Sequence, residues 1–191
     1  MWPYKDCVLE GGQTKEDQKR EEIFYNEILA PDEINRLLAP KVLGNAKRYG
    51  VNGVEEDVEF DKNDNLIIKG NNLLGLTSLL EKYENQIQLI YIDPPFNTGK
   101  DSFEYNDRFN HSTWLTFMKN RLVIAKRLLK QDGSILVHLD FNESHYAKVL
   151  LDEVFGNECF KNNIVWCYTG PSGSTRFLPR KHDDILFYGN S

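Results

Sequence analysis

From Leu66 onward, short apolar runs alternate with segments of helical period. Leu66-Ile67-Ile68 predicts a strand ending at Gly70-Asn71-Asn72, and Asn72 is placed to cap a helix carrying Leu73, Leu76, Leu79 and Leu80 on one face. Gln88 to Ile92 is a nearly continuous apolar run, the pattern of a strand covered on both faces. Over 112–131, Trp114, Phe117, Met118, Leu122, Ala125, Leu128 and Leu129 form one helical stripe, stopped by Asp132-Gly133. Ser134 to Leu139 predicts the next buried strand. A helix over 144–155 comes next, with Tyr146, Val149, Leu150 and Val154 inward and Gly156 closing it. Ile164 to Tyr168 and Ile185 to Tyr188 predict two more strands, joined by a loop too short for a crossover helix and therefore antiparallel.

The first 65 residues differ. Thr14-Lys15-Glu16-Asp17 fits a capping box for a helix carrying Ile23, Phe24, Ile28 and Leu29. Pro31 suits the first turn of a second helix with Ile34, Leu37 and Leu38 on one face. Residues 44–65 read as a connector whose run of acids, from Glu55 to Asp64, is a solvated face. The expected organisation is a helical N-terminal extension with an acidic connector over 1–65, then an α/β unit over 66–191. That unit is expected to be a Rossmann-like, mostly parallel sheet with an antiparallel terminal strand and helices on both faces, left incomplete at residue 191.

Composition narrows the function classes. With 23 Lys and Arg against 29 Asp and Glu, the net charge is -6, so bulk charge does not make this chain a self-sufficient nucleic-acid clamp. Cys7, Cys159 and Cys167 are too few for a disulfide framework, and Cys159 and Cys167 read as buried small hydrophobes. No apolar run approaches membrane-spanning length, and no signal pattern opens the chain, so the expected setting is cytoplasmic and reduced, with no membrane partner. His138, Asp140 and His145 match no metal-ligand spacing, and no metal is expected.

In open α/β sheets ligands bind beyond the carboxyl ends of the strands, which directs attention to the residues just after Ile92. There the chain reads Asp93-Pro94-Pro95-Phe96-Asn97-Thr98-Gly99. Each proline fixes φ and lacks an N–H, so the corner is stiff. The Asp93 carboxylate and the Pro94 carbonyl offer two neighbouring acceptors, which suit the two hydrogens of a planar NH₂ group, and Phe96 offers a ring face for stacking on a nucleobase. Holding both hydrogens draws such a nitrogen toward a tetrahedral form whose lone pair can attack a methyl in line. On pattern alone, a rigid loop with a capping Asp and a packed Phe explains the same residues.

Asp93-Pro94-Pro95-Phe96 resembles the Asp-Pro-Pro-Tyr/Phe motif of DNA amino-methyltransferases. The stretch Leu89 to Gly99 resembles the modification (Mod) subunits of type III restriction–modification systems. So do Tyr105-Asn106-Asp107-Arg108-Phe109, His111-Ser112-Thr113-Trp114-Leu115, Asp132-Gly133-Ser134-Ile135, Asp140-Phe141-Asn142-Glu143 and Asp152-Glu153-Val154-Phe155-Gly156. Lys5 to Gly12 and Pro31 to Ile34 continue the likeness, which spans nearly the whole chain in one order.

The resemblance implies methylation of adenine N6 in double-stranded DNA from S-adenosylmethionine, with the target base flipped out. It implies that Asp93 and the Pro94 carbonyl hold the amine, that Pro95 shapes the loop, and that Phe96, in place of the commoner Tyr, stacks on the base. Asn97, Thr98 and Gly99 are the cofactor-contacting candidates. Arg176, Arg180 and Lys181, in a loop with three cations and no acid, are the phosphate-contacting candidates, an ordinary surface loop being the alternative. The implied partners are a restriction subunit or a second Mod chain.

One departure stands out. The family carries a Phe-x-Gly-x-Gly cofactor loop, and none of the 13 glycines here forms Gly-x-Gly. The expectation is therefore a truncated adenine-specific methyltransferase whose cofactor site is incomplete. The alternatives are a catalytically silent fragment, half of a split enzyme whose partner chain supplies the loop, and an RNA methyltransferase.

Overall fold

In a computed structural model of the 191-residue chain, the described residues are 8–10, 23–25, 43–61, 63–98, 111–170 and 178–191. Three two- to four-stranded sheets form. Val8–Glu10 (β1) pairs antiparallel with Ile23–Tyr25 (β2), and Lys47–Gly50 (β3) pairs antiparallel with Gly53–Glu56 (β4). The principal sheet is mixed, in the order β5 (Ile87–Ile92), β6 (Leu129–Leu139), β8 (His182–Gly189), β7 (Phe160–Cys167). β5 and β6 are parallel; β6 with β8 and β8 with β7 are antiparallel. Three helices accompany it: Asn72–Tyr83 (α1), His111–Leu128 (α2) and Ser144–Phe155 (α3). The expected α/β class and the antiparallel final strands are present, but among the described residues only the β5–β6 pairing is parallel, so the sheet is mixed rather than mostly parallel.

Several expectations are corrected. Ile23 and Phe24 lie in β2 rather than in a helix, as suits a run of β-branched and aromatic residues. The capping box and the Pro31 helix fall outside the described residues. The connector over 44–65 contains the β3–β4 hairpin, where Gly53 takes a φ of 116° and Lys47 pairs with Glu56. Arg48 reaches Asp64 at 2.7 Å and holds that carboxyl below its ordinary value, so part of the acidic run is paired and not merely solvated. Leu66-Ile67-Ile68 forms no strand. It has no partner in the sheet, Ile67 stands 98% exposed, and Ile68 lies against α1 at Gly75. The α1 cap is Asn71, one residue earlier than expected, whose Oδ1 accepts from Leu73 N–H at 3.0 Å.

The α2 stripe is read correctly through Leu128, but the helix ends there and Leu129 starts β6. Leu129 pairs with Ile87 and Ser134 with Leu89, so three extra residues bulge out of β6 between them. Gly133 permits this: a Cβ there would lie 2.9 Å from the Ile87 carbonyl oxygen. In α3 the inward face is Ala147, Leu150, Leu151 and Phe155, at i, i+3, i+4 and i+8, while Tyr146 and Val149 point outward. Cys159 is buried, but Cys167 is exposed at the end of β7.

The core lies between the helices and one face of the sheet. Trp114, Leu115, Met118 and Leu122 of α2 and Leu150, Leu151 and Phe155 of α3 pack on Ile135, Val137, Leu139, Leu186 and Tyr188. α1 meets α2 and β5 through Leu80, Ile124, Leu128, Ile87 and Ile90. Helices on both faces are not observed among the described residues. On the other face Leu89 (57%) and Tyr91 (53%) of β5 and Trp166 of β7 are exposed. β5, expected to be covered on both faces, is an edge strand covered on one.

Candidate active site

β5 and β6 run parallel, so their carboxyl ends deliver two loops side by side: 93–98 after Ile92 and Asp140-Phe141-Asn142-Glu143 after Leu139. Asp93 is exposed, and among the described residues no hydrogen bond engages its carboxylate. Pro94 to Thr98 are half-buried. The proline corner is anchored from below. The indole Nε1–H of Trp114, wholly buried in α2, donates to the Pro95 carbonyl at 2.8 Å. Because Pro94 and Pro95 have fixed φ values, anchoring the Pro95 carbonyl restrains the Asp93 and Pro94 acceptors as well.

Phe96 packs its ring against the edge of the core, 5.5 Å from the His138 ring and inclined by 59° to it. His138 is held in turn: Tyr91 Oη lies 3.1 Å from its Nδ1, and Asp183 Oδ2 lies 3.3 Å from its Nε2. Tyr168 Oη donates to the other Asp183 oxygen at 3.4 Å. A polar row thus runs across the sheet beneath Phe96, where the sequence suggests only a packed strand histidine.

Asn97 takes a left-handed φ of 59°, a conformation that Asn tolerates better than most residues. Its Nδ2 donates to Glu143 Oε1 at 2.5 Å, and His111 Nδ1, at the head of α2, lies 2.8 Å from the same oxygen. Glu143 is 0% exposed. Its Oε2 and the Ser144 hydroxyl are buried without a hydrogen-bond partner among the described residues. Burial pushes the Glu143 carboxyl up from its ordinary value, against the opposing pull of Asn97 and His111. Asp140 beside it accepts from Asn142 N–H at 2.9 Å and from Asn142 Nδ2 at 2.7 Å, closing the turn.

Of the cationic loop, Arg180 and Lys181 are described, whereas Arg176 and Gly99 lie outside the described residues. The Arg180 guanidinium stands 3.9 Å over the Phe141 ring, which brings the loop to the carboxyl end of β6, beside the 93–98 corner. The structure therefore gathers Asp93 to Asn97 with Arg180 at one sheet edge.

A glycine cradle for a nucleotide-like cofactor is not found there among the described residues. Gly133 and Gly189 lie at the opposite end of the strands, and a Cβ on Gly170 would come 3.4 Å from Lys181 Nζ. Among the described residues the corner offers acceptors and a ring face but no close-approach glycine loop of the kind that S-adenosylmethionine would need.

Sequence reasoning missed Trp114, Glu143, His138, Asp183 and Phe141 as parts of this site. Only the acid in Asp140-Phe141-Asn142-Glu143, just past a buried strand, hinted at one of them.

Comparison with known proteins identifies the family. The family described as DNA methylase matches residues 87–191. The chain is 50% identical to the HindVI Mod subunit of a type III restriction-modification enzyme from Haemophilus influenzae, over 85% of this chain and 23% of that protein. It is 37% identical to the EcoP15I Mod subunit from Escherichia coli, over 68% of this chain and 25% of that one. It is 31% identical to the type II methyltransferase M.KpnI from Klebsiella pneumoniae, over 84% of this chain and 40% of that one. The chain spans about a quarter of the length of the two Mod subunits. Among solved structures it is similar to the cytosine-N4-specific PvuII DNA methyltransferase, with a TM-score of 0.43 and 16% identity over 61% of this chain and 47% of that one.

Proposed function

The chain belongs to the DNA methylase family, and from that premise we propose that it carries the amine-holding half of an adenine-N6 DNA methyltransferase of the type III Mod kind. The observation that carries the proposal is Asp93: an exposed carboxylate with no hydrogen-bond partner among the described residues, on a corner anchored by Trp114 and next to the half-buried ring of Phe96. A capping role for Asp93 would tie its oxygens to backbone N–H groups; among the described residues none is so tied.

In this reading an adenine leaves the duplex and lays its ring on Phe96, at an unstacking cost of roughly a few kcal/mol. Aromatic stacking returns about 1–3 kcal/mol of that. The Asp93 carboxylate and the Pro94 carbonyl each accept one hydrogen of the N6 amine. With both hydrogens held, the nitrogen lone pair withdraws from conjugation with the ring and points away from the two acceptors. When bound, S-adenosylmethionine supplies the electrophilic methyl group. Asn97, Thr98 and Gly99 are the proposed contacts to it, but with no glycine cradle among the described residues the chain alone is expected to bind the cofactor weakly. Arg180 and Lys181, with Arg176, would contact phosphates beside the flipped base. The restriction subunit or second Mod chain that type III systems imply is proposed as the protein partner.

The test is transfer of a labelled methyl group to adenine-containing DNA. This chain alone is compared with a chain extended by its relatives' remaining length. Label on adenine N6 from the extended protein, and little from the chain alone, is the expected result. No transfer by either, or label on cytosine N4 or on RNA alone, would overturn the reading.

A further inference from the structure

We propose that Glu143 is a positioning residue, which locks the Asp93–Phe96 corner to the heads of α2 and α3 through Asn97 and His111. The role in catalysis rests on the function proposed above; the mechanical role does not.

The corner leaves the sheet at Ile92 and must reverse after Phe96. Two prolines make its first half stiff, but its second half turns on Asn97, a non-glycine residue at φ 59°. Asn tolerates this conformation, and a contact that fixes its side chain holds the turn in place. Glu143 supplies one: its Oε1 accepts from Asn97 Nδ2 at 2.5 Å. The same oxygen lies 2.8 Å from His111 Nδ1 in the first residue of α2. Glu143 itself precedes α3, and its carbonyl accepts from Ala147 N–H at 2.8 Å in that helix's first turn. One side chain thus joins its own segment to two others, 32 and 46 residues away in sequence, with no sheet pairing among the three.

A contact needed only for stability would be an odd use of this residue. Glu143 is fully buried and its Oε2 lacks a partner among the described residues, and an orphaned buried acceptor is itself destabilising. Buried ionisable groups kept under such conditions concentrate at functional sites. Here the carboxylate stands one residue from Phe96, through Asn97.

The test uses Glu143→Gln, Glu143→Ala, Asn97→Ala and the Glu143→Ala/Asn97→Ala double variant. Amide hydrogen exchange at Phe96, Asn97 and Thr98 is read against exchange at Ile135 and Val137 in the core. Glu143→Ala and Asn97→Ala are each expected to speed exchange in the loop by about tenfold or more while the core amides stay protected. The double variant should add little to either single change. Glu143→Gln, which keeps an acceptor for Asn97, should restore most of the loop's protection. In the methylation assay on the extended protein, Asn97→Ala should lower kcat and leave KM for DNA within about twofold. Additive effects in the double variant, or unchanged loop exchange in Asn97→Ala, would overturn the proposal, and should Glu143→Ala fail to fold, Asn97→Ala and Glu143→Gln decide it alone. Loop coupling without methyl transfer by the wild type would sink the functional reading and leave the mechanical one. Loss of KM rather than kcat would reject the positioning role in catalysis.

Discussion

Trp114 and Pro95 meet through a single 2.8 Å hydrogen bond from a wholly buried indole to a carbonyl in the loop above it. The bond ties the most deeply packed residue of α2 to the corner that carries the exposed Asp93. Replacing Trp114 with Phe keeps an aromatic ring but strips the donor, orphaning the Pro95 carbonyl and leaving a space. Chemical denaturation should report a loss of about 2–4 kcal/mol, since an unsatisfied acceptor and a cavity act together. Methyl transfer by the extended protein should fall as well. Unaltered transfer would mean that the corner keeps its shape without the indole.

Asp93→Ala should behave in the opposite way. The carboxylate is exposed and unbonded among the described residues, so thermal unfolding should move by no more than about 0.5 kcal/mol. Methyl transfer should drop by roughly two orders of magnitude or more, the scale seen when one preorganised polar contact to a reacting group is removed. A drop in stability that matched the drop in rate would identify Asp93 as a structural residue.

Tyr188 is buried in β8, and its hydroxyl donates to Asp152 Oδ1 at 2.7 Å, where Lys148 also pairs with the carboxylate at 2.8 Å. Burial and Asp152 push the phenol well above its ordinary value, so it remains a donor across the working pH range. Tyr188→Phe should cost about 1–2 kcal/mol in urea unfolding, because Asp152 keeps Lys148 as a partner. A larger loss would show that the hydroxyl also restrains the α3 backbone, whose Lys148 carbonyl lies 3.3 Å away.

The buried Glu143 carboxyl gives stability a defined pH slope. Its folded pKa is raised, so the folded state binds the proton more tightly than the unfolded chain does. The resulting stabilisation is complete below the ordinary glutamate pKa and is lost as pH rises through the raised folded value. Relative to Glu143→Gln, which cannot titrate, the wild type should therefore lose stability as pH climbs above the ordinary glutamate range. Parallel curves for the two proteins in urea titrations would contradict a raised value.

Arg180 rests on Phe141 at 3.9 Å, and the two residues should fail differently in DNA binding. Arg180→Ala removes a charge and should flatten the dependence of log K on log salt by about one ion. Phe141→Ala only frees the guanidinium and should weaken binding a few-fold with the slope unchanged. Replacing Arg176, Arg180 and Lys181 together should flatten it further. Equal slopes for all variants would remove this loop from the DNA interface.

The amino-acid order by itself determined the periodic parts and the residue types at the corner. The α2 stripe from Trp114 to Leu128, the α1 leucines, the antiparallel final strands and the Asp93-Pro94-Pro95-Phe96 acceptors come from spacing and proline geometry, both local properties. Tertiary structure decided what spacing cannot encode. Leu129 joins β6 because Ile87 pairs with it, Leu66 to Ile68 pair with no strand among the described residues, and α3 turns Ala147 rather than Tyr146 inward. It also chose which polar residues attend the site. Asn97, His111 and Glu143 come together only because parallel strands bring two loops to one edge, and the burial that alters Glu143 depends on residues far away in the chain.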